Sequence, residues 1–135
     1  MDLLRAGTFK ENDGRYIGAL KMFEGREIRI LVKGQAKDAY IELKKRNDKE
    51  AKTLLNSIER IKNILKENPQ YGDPIRKELI PLTLRKLGIQ NLYRVELSNY
   101  WRMLYTIEGN RIEILLFILN IVDHKEYNKL FGYKK

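Results

Sequence analysis

A chain of 135 residues with 43% hydrophobic and 33% charged residues has the size and balance of a single globular domain. The absence of cysteine excludes disulfides and thiolate metal sites, and one lone histidine argues against a transition-metal centre. A formal net charge of +9 favours anionic partners such as nucleic acid, although the basic residues are spread along the chain rather than gathered in an Arg-rich block.

The opening MDLLRAGTFKEND lacks the basic-then-apolar layout of a secretory signal. The longest apolar run, ILLFILNIV, falls well short of the roughly 18 residues of a membrane span and reads as a buried strand. A cytoplasmic protein with no membrane association is therefore expected. Residues 1–25 read as an N-terminal extension of unknown role, in which Asn12-Asp13-Gly14 is a turn signal that admits a small hairpin. EIRILVK (Glu27 to Lys33) is a strand with Ile28, Ile30 and Val32 on one face, broken by Gly34. A helix through Ala36, Tyr40, Ile41 and Leu43 ends near Arg46-Asn47. Asp48 then caps a second helix, where Ala51, Leu54, Leu55, Ile58, Ile61 and Leu65 recur at three- and four-residue spacing. Pro69 ends it, because proline disfavours helix in the residue before it. Residues 70–90 form a long connection with Pro74, Pro81 and Gly88, and LTLRKL supplies a helical turn within it.

Three strands follow: NLYRVEL, YWRMLYTIE and RIEILLFILNIV. The apolar sets Tyr93, Val95, Leu97 and Trp101, Met103, Tyr105, Ile107 share a face only if Leu97 lies opposite Trp101, which makes Ser98-Asn99-Tyr100 a three-residue loop. A two-residue turn at Gly109-Asn110 adds Ile112, Ile114, Leu116 and Ile118 to that face. The opposite face then carries Arg94, Glu96 and Arg102 beside Leu92, Leu104, Leu115 and Phe117, a mixed surface that needs a cover. The pattern is α+β, one domain over 1–135.

The tail DHKEYNKLFGYKK holds the only histidine. Asp123 as N-cap, Glu126 three residues on and Gly132 as the stop describe a short helix whose Tyr127, Leu130 and Phe131 share one face. Read blandly, this helix finishes the fold and packs on the open side of the sheet. Read sharply, it presents His124, the side chain type that most readily moves a proton at neutral pH. Arg102, inside a strand and opposite Glu96, reads from the residues alone as half of a cross-strand ion pair. Trp101 and Tyr105 fit a core better than a base-stacking platform, and the lysines of the second helix fit its wet face.

Strand, helical hairpin, proline-containing link, a meander carrying LYRVEL and RMLYTI, and the DHKEYNKLFGY tail together resemble the RelE/ParE superfamily of toxin–antitoxin toxins, over roughly residues 27–133. The resemblance implies a small twisted antiparallel sheet with a helical hairpin on one face and a substrate groove on the other. It implies an endoribonuclease that needs neither metal nor cofactor, cuts mRNA in association with the ribosome, and is neutralised by an antitoxin protein. Carried over by position, Arg102 is the phosphate clamp and Arg94 a second cation. Glu96 stands where the family has a second lysine and is a candidate base. His124 and Tyr127 stand near the C-terminal pair of one branch, and Lys125 and Tyr133 are further RNA contacts. Two alternatives remain open: a ParE-like toxin that binds gyrase, and a module that binds RNA or a partner without cutting. Glu96 favours these; Arg94, Arg102, His124 and Tyr127 together favour the nuclease.

Overall fold

The computed structural model describes residues 16–23, 25–110 and 112–133. Ile28, Ile30 and Val32 alternate along strand β2 (Arg26–Val32), and all three are buried. Ahead of it, β1 (Tyr16–Phe23) pairs antiparallel to β2 with Phe23 opposite Arg26. Part of the region read as an extension is thus a strand of the sheet, while the Asn12-Asp13-Gly14 turn lies outside the described residues. After β2 the chain takes a left-handed step at Gly34 (φ 54°) and enters helix α1 (Gly34–Lys45). Helix α2 (Lys49–Glu67) begins at Asp48, whose side chain accepts from the Ala51 N–H at 3.2 Å. The Arg46 guanidinium, 2.7 Å away, holds that carboxyl well below the usual carboxylate range. Ala51, Leu54, Ile58, Ile61 and Leu65 form the buried stripe of α2, as their spacing requires.

Residues 68–92 return along the sheet through the two-residue strand β3 (Asp73–Pro74) and a four-residue helix, α3 (Leu82–Arg85), which lies within the LTLRKL stretch. Then come β4 (Tyr93–Glu96), β5 (Arg102–Gly109), β6 (Glu113–Val122) and helix α4 (His124–Phe131). The six strands lie in the order β1-β2-β6-β5-β4-β3. The fold is α+β with the helical hairpin packed on one face. The sheet is mixed rather than antiparallel throughout, because β2 runs parallel to β6. A two-helix crossover, not a tight turn, joins β2 to the meander, and such a connection lets neighbouring strands point the same way.

The first hairpin of the meander has the expected register. Glu96 faces Arg102 and the Leu97 N–H donates to the Trp101 carbonyl at 2.8 Å, so Ser98-Asn99-Tyr100 is the loop. The second differs. Gly109 pairs with Ile114, and the turn is a longer one in which Asn110 Oδ1 accepts from the N–H groups of Ile112 and Glu113. This slides β6 by four residues relative to a Gly109-Asn110 turn. Four is even, so Ile114, Leu116 and Ile118 keep the core face, whereas Ile112 falls in the loop and is exposed. Further on, the pairs Tyr105–Ile118 and Leu104–Asn120 leave Leu119 as an extra residue. That bulge returns Ile121 to the core face and turns Asn120 and Val122 to the other.

Two cores result. The larger lies between the helical hairpin and the sheet, and its buried set includes Leu54, Ile58, Met103, Tyr105 and Leu116. The smaller covers the opposite face, where Ile80 and Leu84 from the connection and Tyr127 from α4 pack on Leu92, Leu104 and Val122. Leu104, expected on an open surface, is completely buried there. No helix among the described residues is long and apolar enough to cross a membrane.

Candidate functional site

Strand alternation places Arg94, Glu96 and Arg102 together on the face opposite the helical hairpin. Glu96 Oε2 accepts from Arg102 Nε at 3.2 Å and lies 3.9 Å from Arg94 Nε. Arg94 also reaches Asp73 Oδ2 at 3.5 Å, across the short β3–β4 pair. Asp73 went unnoticed in the sequence because a two-residue strand inside a proline-containing loop leaves no periodic signal.

Helix α4 closes this cluster from above. Its start is fixed by Asp123, whose Oδ1 accepts from the Glu126 N–H at 2.8 Å, and its end by Gly132 in the left-handed region (φ 74°). The Tyr127 ring, 4% exposed, lies over the Arg102 guanidinium with 4.5 Å from Cζ to the ring centroid. Its hydroxyl receives a long contact of 3.4 Å from Arg94 Nη1. That contact, then the charges of Glu96 and Asp73, hold the Arg94 guanidinium above its ordinary value despite partial burial. Tyr127 also packs on Phe131 in a tilted arrangement at 4.5 Å, and Tyr133 meets Phe131 at 5.7 Å and Tyr127 at 6.3 Å. Tyr127 is thus both a buried member of the smaller core and the tail residue that touches the two arginines.

Four of the expected site residues are linked, since Glu96 and Tyr127 each touch both Arg94 and Arg102. His124 and Lys125 occupy the exposed first turn of α4, and neither bonds to the cluster; His124 lies one turn before Tyr127. Tyr133 belongs to the aromatic packing at the far end of the helix. Trp101 and Tyr105 both pack in the larger core.

The charge balance of the cluster is uneven. Two guanidiniums share one close carboxylate and the more exposed Asp73. Arg102 Nη1 and Arg94 Nε are buried without a hydrogen-bond acceptor. Among the described residues no three His, Asp or Glu side chains gather as metal ligands would. What the arrangement offers chemically is an anchored pair of cations, one carboxylate between them, and a helix start beside them that carries an imidazole. No protein-family model, curated protein or solved structure matches the chain.

Proposed function

We propose that the chain is a RelE-like endoribonuclease toxin acting on mRNA in association with the ribosome in the cytoplasm, held inactive by a cognate antitoxin. The reading is supported above all by the two guanidiniums set around the single close carboxylate of Glu96, an excess of positive charge suited to a phosphodiester. In the proposed reaction the ribose 2′-oxygen attacks the adjacent phosphorus, and Glu96 takes the hydroxyl proton. The bond to the 5′-oxygen breaks, His124 supplies that oxygen with a proton, and a 2′,3′-cyclic phosphate and a 5′-hydroxyl remain. Arg102 and Arg94 stabilise the charge that builds on the non-bridging oxygens, a contribution that is often the largest in such sites. Tyr127 holds Arg102 in place, and Lys125 and Tyr133 contact the strand beyond the scissile position. The step requires no metal and no cofactor.

One observation favours a second reading. Glu96 already occupies the Nε edge of Arg102, and a ring covers its face. A cluster satisfied in this way also suits a module that binds a protein, such as gyrase, or RNA without cutting it. The deciding experiment is incubation of the purified protein with translating ribosomes, followed by mapping of mRNA 5′ ends. New ends bearing 5′-hydroxyls and undiminished by EDTA support the nuclease; unchanged mRNA with inhibited gyrase supports the second reading.

A further inference from the structure

A separate cavity of about 650 Å³ opens on the same sheet face, further toward β2, and shares no lining residue with the arginine cluster. Leu84, Leu87, Ile89, Phe117 and Leu119 make its walls apolar. At one end stand Lys33, Gly34 and Asn120. The first hydrogen bonds of helix α1 are those from Ala36 and Lys37, both to the Lys33 carbonyl. The N–H groups of Gly34 and Gln35 are thus left outside the ladder. This helix start has no side-chain cap and no acidic residue in its first turn, so its positive end is uncompensated. Lys33 carries no carboxylate partner among the described residues; its ammonium sits 4.9 Å from the centroid of the Phe117 ring, on the cavity wall.

Asn120 is the second, independent mark of a ligand. It is 8% exposed, it lines the cavity, and its Oδ1 has no hydrogen-bond partner. A carbonyl oxygen buried beside apolar walls without a partner costs stability, and such groups call for a missing one. Of its two ends, the NH2 group is the donor and the one able to meet a carboxylate. Its position is not accidental to the chain, since the bulge at Leu119 is what turns it to this face. Glu108 lines the cavity as well, but it pairs with Leu115, several residues along β6 from the Lys33 end. The cavity is therefore polarised, cationic at the α1 start and anionic at the Glu108 end.

We propose that this cavity binds a small molecule with a flat apolar body and one carboxylate. The carboxylate lies between the Lys33 ammonium and the free N–H groups of Gly34 and Gln35, with the Asn120 amide as an additional contact. The apolar body lies between Phe117 and the Leu84, Leu87 and Ile89 wall, and Glu108 disfavours a second anionic group at the far end. The site does not depend on the nuclease reading, and its test uses no RNA.

The probe is sodium 2-naphthoate, titrated into the full-length, isotopically labelled protein and followed by amide NMR, with naphthalene-2-carboxamide as the neutral comparison. Saturable shifts of the Gly34 and Gln35 backbone amides and of the Asn120 side-chain amide are expected. The carboxylate should bind about tenfold more tightly than the carboxamide, as loss of charge-assisted hydrogen bonds implies. Lys33→Met and Asn120→Leu should each weaken the naphthoate by about tenfold on the same grounds. Because Asn120→Leu alters a buried position, Leu87→Glu serves as a second variant: Leu87 is 73% exposed, so the fold survives while the apolar wall gains a repelling charge. Shifts spread over surface lysines without saturation, equal affinity for the carboxamide, or naphthoate binding unchanged in Leu87→Glu would each overturn the proposal.

Discussion

Glu96 is the residue on which the two readings of the arginine cluster part. As a counter-ion it is half exposed, at 54%, so Glu96→Gln should change stability by less than about 1 kcal/mol. The same substitution frees both guanidiniums, and binding of single-stranded RNA should strengthen. If Glu96 also takes the 2′ proton, cleavage should fall by roughly 10²-fold or more while binding rises. Measuring both on one preparation separates the roles: parallel increases in binding and cleavage would leave Glu96 as a counter-ion alone. Arg102 makes the complementary case. Arg102→Ala should lower cleavage by about 10²–10³-fold, the loss expected for a fixed donor aimed at developing charge. Arg102→Lys should recover only part, because an ammonium has no second edge to present while Glu96 holds the first. Full cleavage in Arg102→Ala would remove the clamp from the mechanism.

Helix α4 shows what a sequence reveals of an element and what it conceals. Its limits were legible because Asp123, Glu126 and Gly132 each act on the backbone within a few residues. That Tyr127 lies on Arg102 was not, since that contact depends on where the tail lands after β6. The β4–β5 hairpin was legible to the residue, as two alternating apolar sets admit one alignment. The β5–β6 turn was misread because Gly109-Asn110 is a strong two-residue signal, whereas the structure uses the Asn110 side chain to close a longer turn. The faces survived that error only because the slip was even. No local pattern announces the Leu119 bulge, so Asn120 could not be placed on the cavity side from sequence. For α4 itself, Asp123→Ala should cost about 1 kcal/mol, the usual loss for an N-cap. Tyr127→Ala should cost about 3 kcal/mol or more by emptying the smaller core, and Tyr127→Phe much less, because the ring over Arg102 remains. Equal losses for the two Tyr127 variants in denaturant unfolding would place its value in the hydroxyl instead.

At the scale of the molecule, the sheet is held between two cores of unequal size, and the chain must cross from one to the other at residues 68–75. Tyr105 fastens that crossing. Its ring is fully buried and stacks on Tyr93 at 5.1 Å; its hydroxyl donates to the Pro69 carbonyl at 2.8 Å and accepts from the Gly72 N–H at 2.9 Å. Burial raises the ionisation of this phenol well above the ordinary tyrosine value of 10.0. Tyr40, on the helical hairpin, is pushed up to about 12, by burial first and then by its hydrogen bond to Glu59. A raised value for an acid means that the folded chain keeps a proton which the unfolded chain has released. Above about pH 10, and until the folded phenols themselves ionise, the native state binds more protons than the unfolded one, and stability falls as pH rises. Below pH 10 the full contribution of both tyrosines is present. Denaturant titrations across pH 8 to 12 should therefore show a steepening alkaline loss. Tyr105→Phe should lower stability at neutral pH by about 1 kcal/mol or more, because the Gly72 N–H and Pro69 carbonyl lose their partner. In return it should flatten the alkaline slope, and Tyr40→Phe should flatten it further. An alkaline slope identical in all three proteins would show that neither phenol carries the linkage, and neutral stability unchanged in Tyr105→Phe would show that the ring alone fastens the crossing.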